Sequence, residues 1–390
     1  MTVKRPLRVA MIGHGFMGAA HSQGWRVAPR FFDLDLAPEM AVVVGRRAEA
    51  AAESAEQWGW QESSDDWRAV VARDDIDLID IVTPGDSHAE IAIAALEAGK
   101  HVLCEKPLAN SATQAEEMVA AAERAAEGGV VAMVGFTYRR VPAVTFAKQL
   151  IADGKIGDIR QVRAVYQQDW LYDAQSPLTW RLQKDLAGSG ALGDIGAHII
   201  DMTQFVTGLL LESVSGTMQT IVDERPKLGS SVGLSGTASD DRGPVTVDDV
   251  ALFTGRFAGG VLGSFEATRF ATGRKNALRF EISGSLGAIA FDLESLNELQ
   301  FYDATAAAEL QGFTRILVTD PSHPYVGSWW PAGHLIGYEH GFSHQVKDLL
   351  EAIAEGSQPE PSFASGLQVQ RVLGAVETSA GDGSAWTPVS

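Results

Sequence analysis

Three residues far apart in the chain have the types needed to take a proton from an alcohol. Lys106 stands in the run Glu105-Lys106-Pro107, and Asp194 and His198 stand in Gly193-Asp194-Ile195-Gly196-Ala197-His198. Oxidising a secondary alcohol removes a hydride from carbon and a proton from oxygen, so the protein needs a group for the proton and a charge beside the developing alkoxide. Histidine suits the first task because its ordinary pKa is about 6.5, and a lysine ammonium beside the oxygen favours the ionised form. Asp194, His198 and Asp201 fall at i, i+4 and i+7, one face of a helix that begins at about Gly193. Taken alone, an aspartate and a histidine at this spacing more often mark a helix start with a packed ring. Upstream, however, Gly13-His14-Gly15-Phe16-Met17-Gly18 supplies somewhere for the hydride to go.

The elements that must position these groups follow from periodicity. Residues 7–12 form a short apolar run that reads as a buried parallel strand. Gly13, Gly15 and Gly18 then fall at G-x-G-x-x-G spacing before a helix. The first allows a tight turn, the second lets backbone approach a pyrophosphate, and the third lets helix pack on strand, with Phe16 and Met17 flanking the same loop. Further strands are expected at 40–44, 78–82, 101–104 and 130–134, and helices at 48–58, 87–98 and 113–126. This alternation predicts an α/β domain with a doubly wound parallel sheet. Thr83, Pro84, Glu105 and Lys106 sit at the carboxyl ends of its strands, where ligands of such sheets bind, and Glu105 is expected to bond the nicotinamide ribose.

The choice of dinucleotide is less sharp. The second strand ends Val44-Gly45-Arg46-Arg47, without the acid that usually bonds the ribose hydroxyls of NAD. Arg46 or Arg47 can hold a 2′-phosphate or lie flat over the adenine of plain NAD, so this logic leans slightly to NADP and leaves NAD open. A long stretch, 26–38, displaces the usual spacing, and its Asp33 and Asp35 read as loop solvation.

Composition sets the outer bounds. A chain of 390 residues suggests two domains, and 45% hydrophobic with 21% charged residues describes a globular protein. The net charge of −19 argues against a nucleic-acid partner. Cys104 is the only cysteine, so no intrachain disulfide is possible, and its apolar neighbours favour a buried residue over a nucleophile. No membrane-length apolar run occurs, and the cytoplasm is the expected location.

Beyond the first domain, strands are expected at 159–166, 250–257, 260–267 and 277–283, with 213–219 joining them. Residues 223–243, rich in Gly, Ser and Asp, read as a flexible excursion, and 303–337 as a long loop. Trp170, Tyr172, Trp180, Trp329 and Trp330 lie in or beside loops, where rings can cover the C–H face of a sugar, although most tryptophans pack in cores. Gln167, Gln168, Asp169 and Arg181 supply hydroxyl partners nearby, and Tyr138 is placed at the pocket wall. His340 and His344 share a spacing that can chelate zinc, but no full ligand set accompanies them and no metal is expected.

In order along the chain, Gly13 to Gly18, Thr83-Pro84 with His88, Gly99-Lys100-His101-Val102 before Glu105-Lys106-Pro107, and residues 135–139 form one pattern. Trp180-Arg181, Gly190-Ala191-Leu192 and Asp194 to His198 with Asp201 continue it. Over nearly its whole length the chain resembles the glucose-fructose oxidoreductase/inositol dehydrogenase (Gfo/Idh/MocA) family. The resemblance implies an N-terminal Rossmann domain, 1–137, and an α+β C-terminal domain, 138–390, with a large, mostly antiparallel sheet. It implies that the last helices return to the first domain and that the protein is a homodimer or homotetramer. It matches Lys106, Asp194 and His198 to the family's conserved lysine, aspartate and histidine, leaving open whether Lys106 or His198 takes the proton first. His88 is a candidate for the cofactor, with a structural role as the equal alternative, and His344 at a helix start near the family's cleft is a candidate for a substrate hydroxyl. Gln168-Asp169-Trp170 and the run from Trp180 to His198 are similar to the family's sugar 3-dehydrogenases, which implies oxidation of a ring hydroxyl of a sugar or anhydrosugar to a 3-keto product with NAD. The alternatives are an inositol or other cyclitol dehydrogenase, or a dinucleotide-binding regulatory protein without turnover.

Overall fold

Short branched-chain strands separated by alanine-rich helices build the first unit as expected. The computed structural model describes residues 4–232 and 235–390. Contacts divide the chain into two units, Met1–Thr137 with Gly337–Gln370, and Tyr138–Ile336 with Arg371–Ser390. The first begins β1 (Arg5–Ile12), α1 (Phe16–Phe31), β2 (Leu36–Val44), α2 (Ala48–Trp58), β3 (Glu62–Ser64), α3 (Trp67–Val71) and β4 (Leu78–Ile81). It continues α4 (His88–Glu97), β5 (His101–Cys104), α5 (Ala112–Ala126) and β6 (Ala132–Val134). Its six strands are all parallel, in the order β3-β2-β1-β4-β5-β6. The order reverses between β1 and β4, and a crevice opens beyond the carboxyl ends of strands at such a point. β4 is buried at all four positions, including Asp80, as fits a strand covered on both faces.

One expectation is corrected here. Residues 26–38 are not an inserted loop: α1 continues to Phe31 through Pro29, and β2 begins at Leu36. Pairing with β1 starts at Arg5↔Leu36 and runs to Ile12↔Val44, so the ladder extends the strand backward through Pro38. Only residues 32–35 connect the two, and Asp33 there pairs with Lys4 at 3.3 Å.

The second unit opens with α6 (Pro142–Ala152), β7 (Ile159–Gln167) and α7 (Lys184–Ala187). One π-helical turn, Leu192–Gly196, then runs directly into α8 (Ala197–Thr207). The strands β8 (Leu211–Gln219), β9 (Glu224–Val232), β10 (Ser235–Pro244), β11 (Val250–Phe257), β12 (Leu262–Thr268), β13 (Ala277–Gly284), β14 (Gly287–Asp292), β15 (Glu298–Asp303) and β16 (Thr314–Leu317) follow. The nine-stranded sheet has the order β16-β15-β14-β13-β7-β12-β11-β8-β17, its last strand being Thr387–Pro388. Every neighbour is antiparallel except β7 with β12. Residues 223–243, expected as a flexible excursion, instead form the β9–β10 ribbon, paired from Glu224↔Pro244 to Val232↔Ser235, with 233 and 234 outside the described residues. Composition misleads there because the ladder is made by main chain, which glycine and serine supply as well as any residue.

After Ile336 the chain returns to the first unit with α9 (His340–Glu355), and α10 (Phe363–Gly381) crosses the division between Gln370 and Arg371. Gly24 lets α9 approach α1, since a Cβ there would lie 2.9 Å from the Phe342 carbonyl oxygen.

Candidate active site

The loop after β1 is shaped for a phosphate. Gly13 has φ +111°, and a Cβ on it would meet the Val82 carbonyl carbon and oxygen at 2.8 Å. Gly18 packs against the Gly13 carbonyl oxygen, where a Cβ would stand at 3.1 Å, whereas a Cβ on Gly15 would meet nothing within 4 Å. Gly15 is the N-cap of α1, no side chain caps that end, and no acid lies in the first turn. Open backbone N–H groups at a helix N-terminus with room in front of them suit a pyrophosphate. Phe16 is exposed and stacks on Tyr338 at 6.3 Å, while Met17 is half-buried.

At the end of β2 the two arginines, Arg46 and Arg47, are exposed. His14 adds a group that motif reading passed over: its ring occupies the space a side chain at Gly45 would need, and its Nδ1 lies 3.2 Å from Ser54 Oγ in α2. Burial, then Arg47 and Arg46, push its pKa below 6.5, so the ring is uncharged at neutral pH.

At the ends of β4 and β5, Thr83 and Pro84 are half-buried, and Thr83 Oγ1 accepts a hydrogen bond from Ser87 Oγ at 2.8 Å. His88 is buried with its ring nitrogens 2.9 Å from the Thr83 carbonyl oxygen and 3.0 Å from that of Pro107, so it ties these two strand ends together. The Glu105 carboxylate is turned inward: Oε1 lies 3.1 Å from His21 Nε2, and Oε2 accepts the Lys106 backbone N–H at 3.1 Å. Lys106, one residue on, is half-buried. His344, expected at a substrate hydroxyl, is fully buried in α9 and meets the Phe32 ring edge-on at 5.9 Å, so it presents no atom to solvent.

In the second unit, residues 191–204 are buried at every position except two, Asp194 and His198. Over residues 191–204, the π turn and the first two turns of α8 are therefore partly exposed only at the two side chains singled out by their chemistry. Asp201, on the expected face, is buried instead, and its carboxylate accepts two N–H groups of Arg139 in a fork at 2.9 and 2.6 Å. Such a bidentate pair reads as structural.

The segment carrying Asp194 is held from behind by Asp248. The Asp248 carboxylate accepts the N–H groups of Gly190 at 2.6 Å and Leu192 at 2.8 Å, and its carbonyl oxygen accepts that of Ala191 at 3.0 Å. Asp248→Ala would leave two buried donors without a charged acceptor, and is expected to cost about 3 kcal/mol, read as a lowered urea midpoint. Arg269 completes this support. It is fully buried, donates Nη2 to the Asp248 carbonyl oxygen at 3.1 Å, and holds Nη1 3.6 Å from Asp194 Oδ2. Its Nε and Nη1 make no hydrogen bond within the described residues, so the guanidinium acts on Asp194 as a charge.

Around His198 the structure gathers several expected residues. Its ring lies 4.7 Å from that of Tyr138 and 5.8 Å from that of Tyr166. The two tyrosine hydroxyls are 3.1 Å apart, and Tyr166 donates to Asn276 Oδ1 at 2.7 Å. Gln168 Nε2 donates to the same oxygen at 2.9 Å, and Gln168 Oε1 accepts from Trp170 Nε1 at 2.9 Å. Trp170 in turn lies 5.4 Å from the Arg269 guanidinium. Tyr138, Gln168, Trp170, Asp194 and His198 thus form one patch, completed by Tyr166, Asn276, Asp248 and Arg269. Arg181 lies over the ring of its neighbour Trp180 at 4.4 Å. Tyr166 and Asn276 carried no motif, and only the place of Tyr166 in β7 and of Asn276 just before β13 reveals them. No group of three or more metal-binding side chains occurs among the described residues, and no described helix is long and apolar enough to cross a membrane.

A six-stranded doubly wound sheet with an open phosphate loop, followed by a unit on a large mixed sheet, defines a dinucleotide-dependent oxidoreductase. Residues 7–136 match the model of the oxidoreductase family with an NAD-binding Rossmann fold, and residues 144–290 match the GFO/IDH/MocA C-terminal domain. The chain belongs to the GFO/IDH/MocA family, and NAD is the dinucleotide of its first unit. It is 44% identical to the levoglucosan dehydrogenase of Pseudarthrobacter phenanthrenivorans over 98% of each chain. Levoglucosan dehydrogenase solved with NADH and levoglucosan superposes with a TM-score of 0.92 at 43% identity, covering 99% of this chain and 100% of that one. An oxidoreductase domain protein from Kribbella flavida gives a TM-score of 0.94 at 62% identity, over 99% and 100%.

Proposed function

We propose that the protein is an NAD-dependent dehydrogenase of a sugar or anhydrosugar of the levoglucosan type, oxidising a ring secondary hydroxyl to a 3-keto product. The observation that carries this is the partial exposure of Asp194 and His198 alone within the otherwise buried stretch 191–204, in a chain 44% identical to a levoglucosan dehydrogenase. NAD, when bound, supplies the acceptor for the hydride. Gly13, Gly15 and Gly18 hold its pyrophosphate, and Arg46 and Arg47, with the uncharged His14, face the adenosine end. Lys106 brings a positive charge to the substrate oxygen and stabilises it as the proton leaves. His198 sits against the Tyr138 and Tyr166 rings, which fix the plane of the imidazole. Asp194 steadies the proton that the imidazole carries, and Arg269 holds a positive charge 3.6 Å from Asp194 Oδ2. Gln168 and Trp170 provide a hydrogen-bonding group and an apolar ring for a sugar's two kinds of surface.

Purified protein screened with levoglucosan, hexoses and inositols, each with NAD and with NADP, tests the proposal. Turnover of levoglucosan with NAD, giving a ketone at carbon 3 by NMR, is expected. Turnover of inositols alone would move the protein to the cyclitol dehydrogenases.

A further inference from the structure

Within the first unit, beside Lys106 but turned away from solvent, lies a row of charged groups that the proposed chemistry does not use. Asp80, in the middle of the apolar strand β4, is fully buried, and its carboxylate oxygens lie 2.9 and 3.0 Å from Nδ1 of His21 in α1. Trp25, one turn further along α1, donates its indole N–H to Asp80 Oδ2 at 2.7 Å. The other face of the His21 ring system, Nε2, meets Glu105 Oε1 at 3.1 Å, and Glu105 Oε2 accepts the Lys106 backbone N–H. Ionised carboxylates only accept hydrogen bonds, so a ring between two of them must donate from both nitrogens and carry a positive charge. Phe342 closes the ring from α9 at 5.3 Å, and Gly135 leaves the room that Glu105 fills, since a Cβ there would stand 2.7 Å from Glu105 Oε1.

A buried charge persists only when it is paired, and a buried polar row of this kind fixes its members in one arrangement. Here the last member grips the backbone of Lys106. We infer that Asp80 and His21 are positioning residues for Lys106: by fixing the Glu105 carboxylate they fix the main chain from which the lysine reaches the substrate oxygen. The inference rests on the proposed role of Lys106. Glu105 then serves the reaction from beneath the lysine, through its main chain. Removing either remote member lets Glu105 turn, and a displacement of about 1 Å at a reacting group can cost about 100-fold in rate.

The test compares Asp80→Asn, which keeps the shape and removes one charge, with His21→Gln and with Lys106→Ala. Each is assayed for oxidation of levoglucosan with NAD, and for NADH affinity by fluorescence. In the first two, kcat is expected to fall by about 10- to 100-fold with NADH affinity unchanged, a split that a loss of folded protein does not produce. The rate at which an amine-reactive reagent labels Lys106, read by peptide mass spectrometry, gives a readout that needs no substrate and is expected to change in the same variants. Should His21→Gln fail to fold, Asp80→Asn carries the test. Wild-type kcat and wild-type labelling in folded Asp80→Asn overturn the inference, while Lys106→Ala remains inactive. Turnover by Lys106→Ala overturns the reading on which it rests.

Discussion

Lys106→Ala is expected to lower sugar oxidation by about 1000-fold or more while NADH still binds. General acid–base groups contribute roughly 100- to 10,000-fold, and one electrostatic contact to a developing oxyanion roughly 100- to 1000-fold. In the proposed reaction Lys106 supplies the second and, if it takes the proton itself, the first as well. The phosphate loop at Gly13–Gly18 belongs to a different strand end and is untouched by the substitution, so fluorescence titration with NADH should give wild-type affinity. Lys106→Arg separates the two contributions, because a guanidinium keeps the charge yet does not release its proton. Substantial activity in Lys106→Arg would make Lys106 an electrostatic group and His198 the base. Loss as deep as in Lys106→Ala would make the lysine the base. Near wild-type turnover in Lys106→Ala would sink the assignment altogether.

Folded stability should fall as pH rises from about 6.5 to 10, with His21 as the cause. Burial alone would push its pKa down, but the Asp80 carboxylate and then Glu105 push it up to about 10. In the unfolded chain the ring titrates near 6.5. Below that value the ring is charged in both states and the buried row contributes in full. Above it the unfolded chain releases the proton while the folded one keeps it, so stability declines until the folded ring also titrates near 10. The difference between the two plateaus is on the order of 5 kcal/mol. Burial also pushes the neighbouring Cys104 thiol well up, so above about 8.5, where the unfolded thiol ionises and the folded one does not, Cys104 adds a decline of its own; the His21 contribution is read below that. Urea midpoints measured from pH 6 to 8 should drop in the wild type and stay nearly level in His21→Gln. Parallel curves would remove His21 as the source.

Much of this was legible in the chain because it depends on local rules. The apolar runs fixed the first sheet, and the glycine spacing located the phosphate loop, since turn, approach and packing each demand a glycine. Asp194 and His198 stood out by type and helical spacing. What escaped notice depends on neighbours distant in sequence. Asp80 did leave a trace, a lone acid in Leu78-Ile79-Asp80-Ile81, which must find a partner if the strand is buried, but nothing nearby says that the partner is His21. Arg269 and Asp248 support Asp194 across 75 and 54 positions, by counting along the sequence, and no spacing rule connects them. The π turn at Leu192–Gly196 looks like ordinary helix in sequence. His344 has the right chemistry for a substrate contact, and its burial against the Phe32 ring depends on α1 and α9 coming together, which no spacing in the sequence shows.

The first unit is assembled from two stretches of chain, and the second lies between Thr137 and Gly337. On the ribosome this imposes an order of events. The strands β1 to β6 emerge early, but α9, whose Phe342 covers His21 on α1, follows about 200 residues later. At roughly 5–20 residues per second, the nascent sheet waits about 10 to 40 seconds with one flank of α1 uncovered. During that interval the buried row beside Lys106 stands open to water on that flank. The same interval makes the unfinished first unit a natural client for a holding chaperone, and arrest of translation before residue 342 should leave it protease-sensitive.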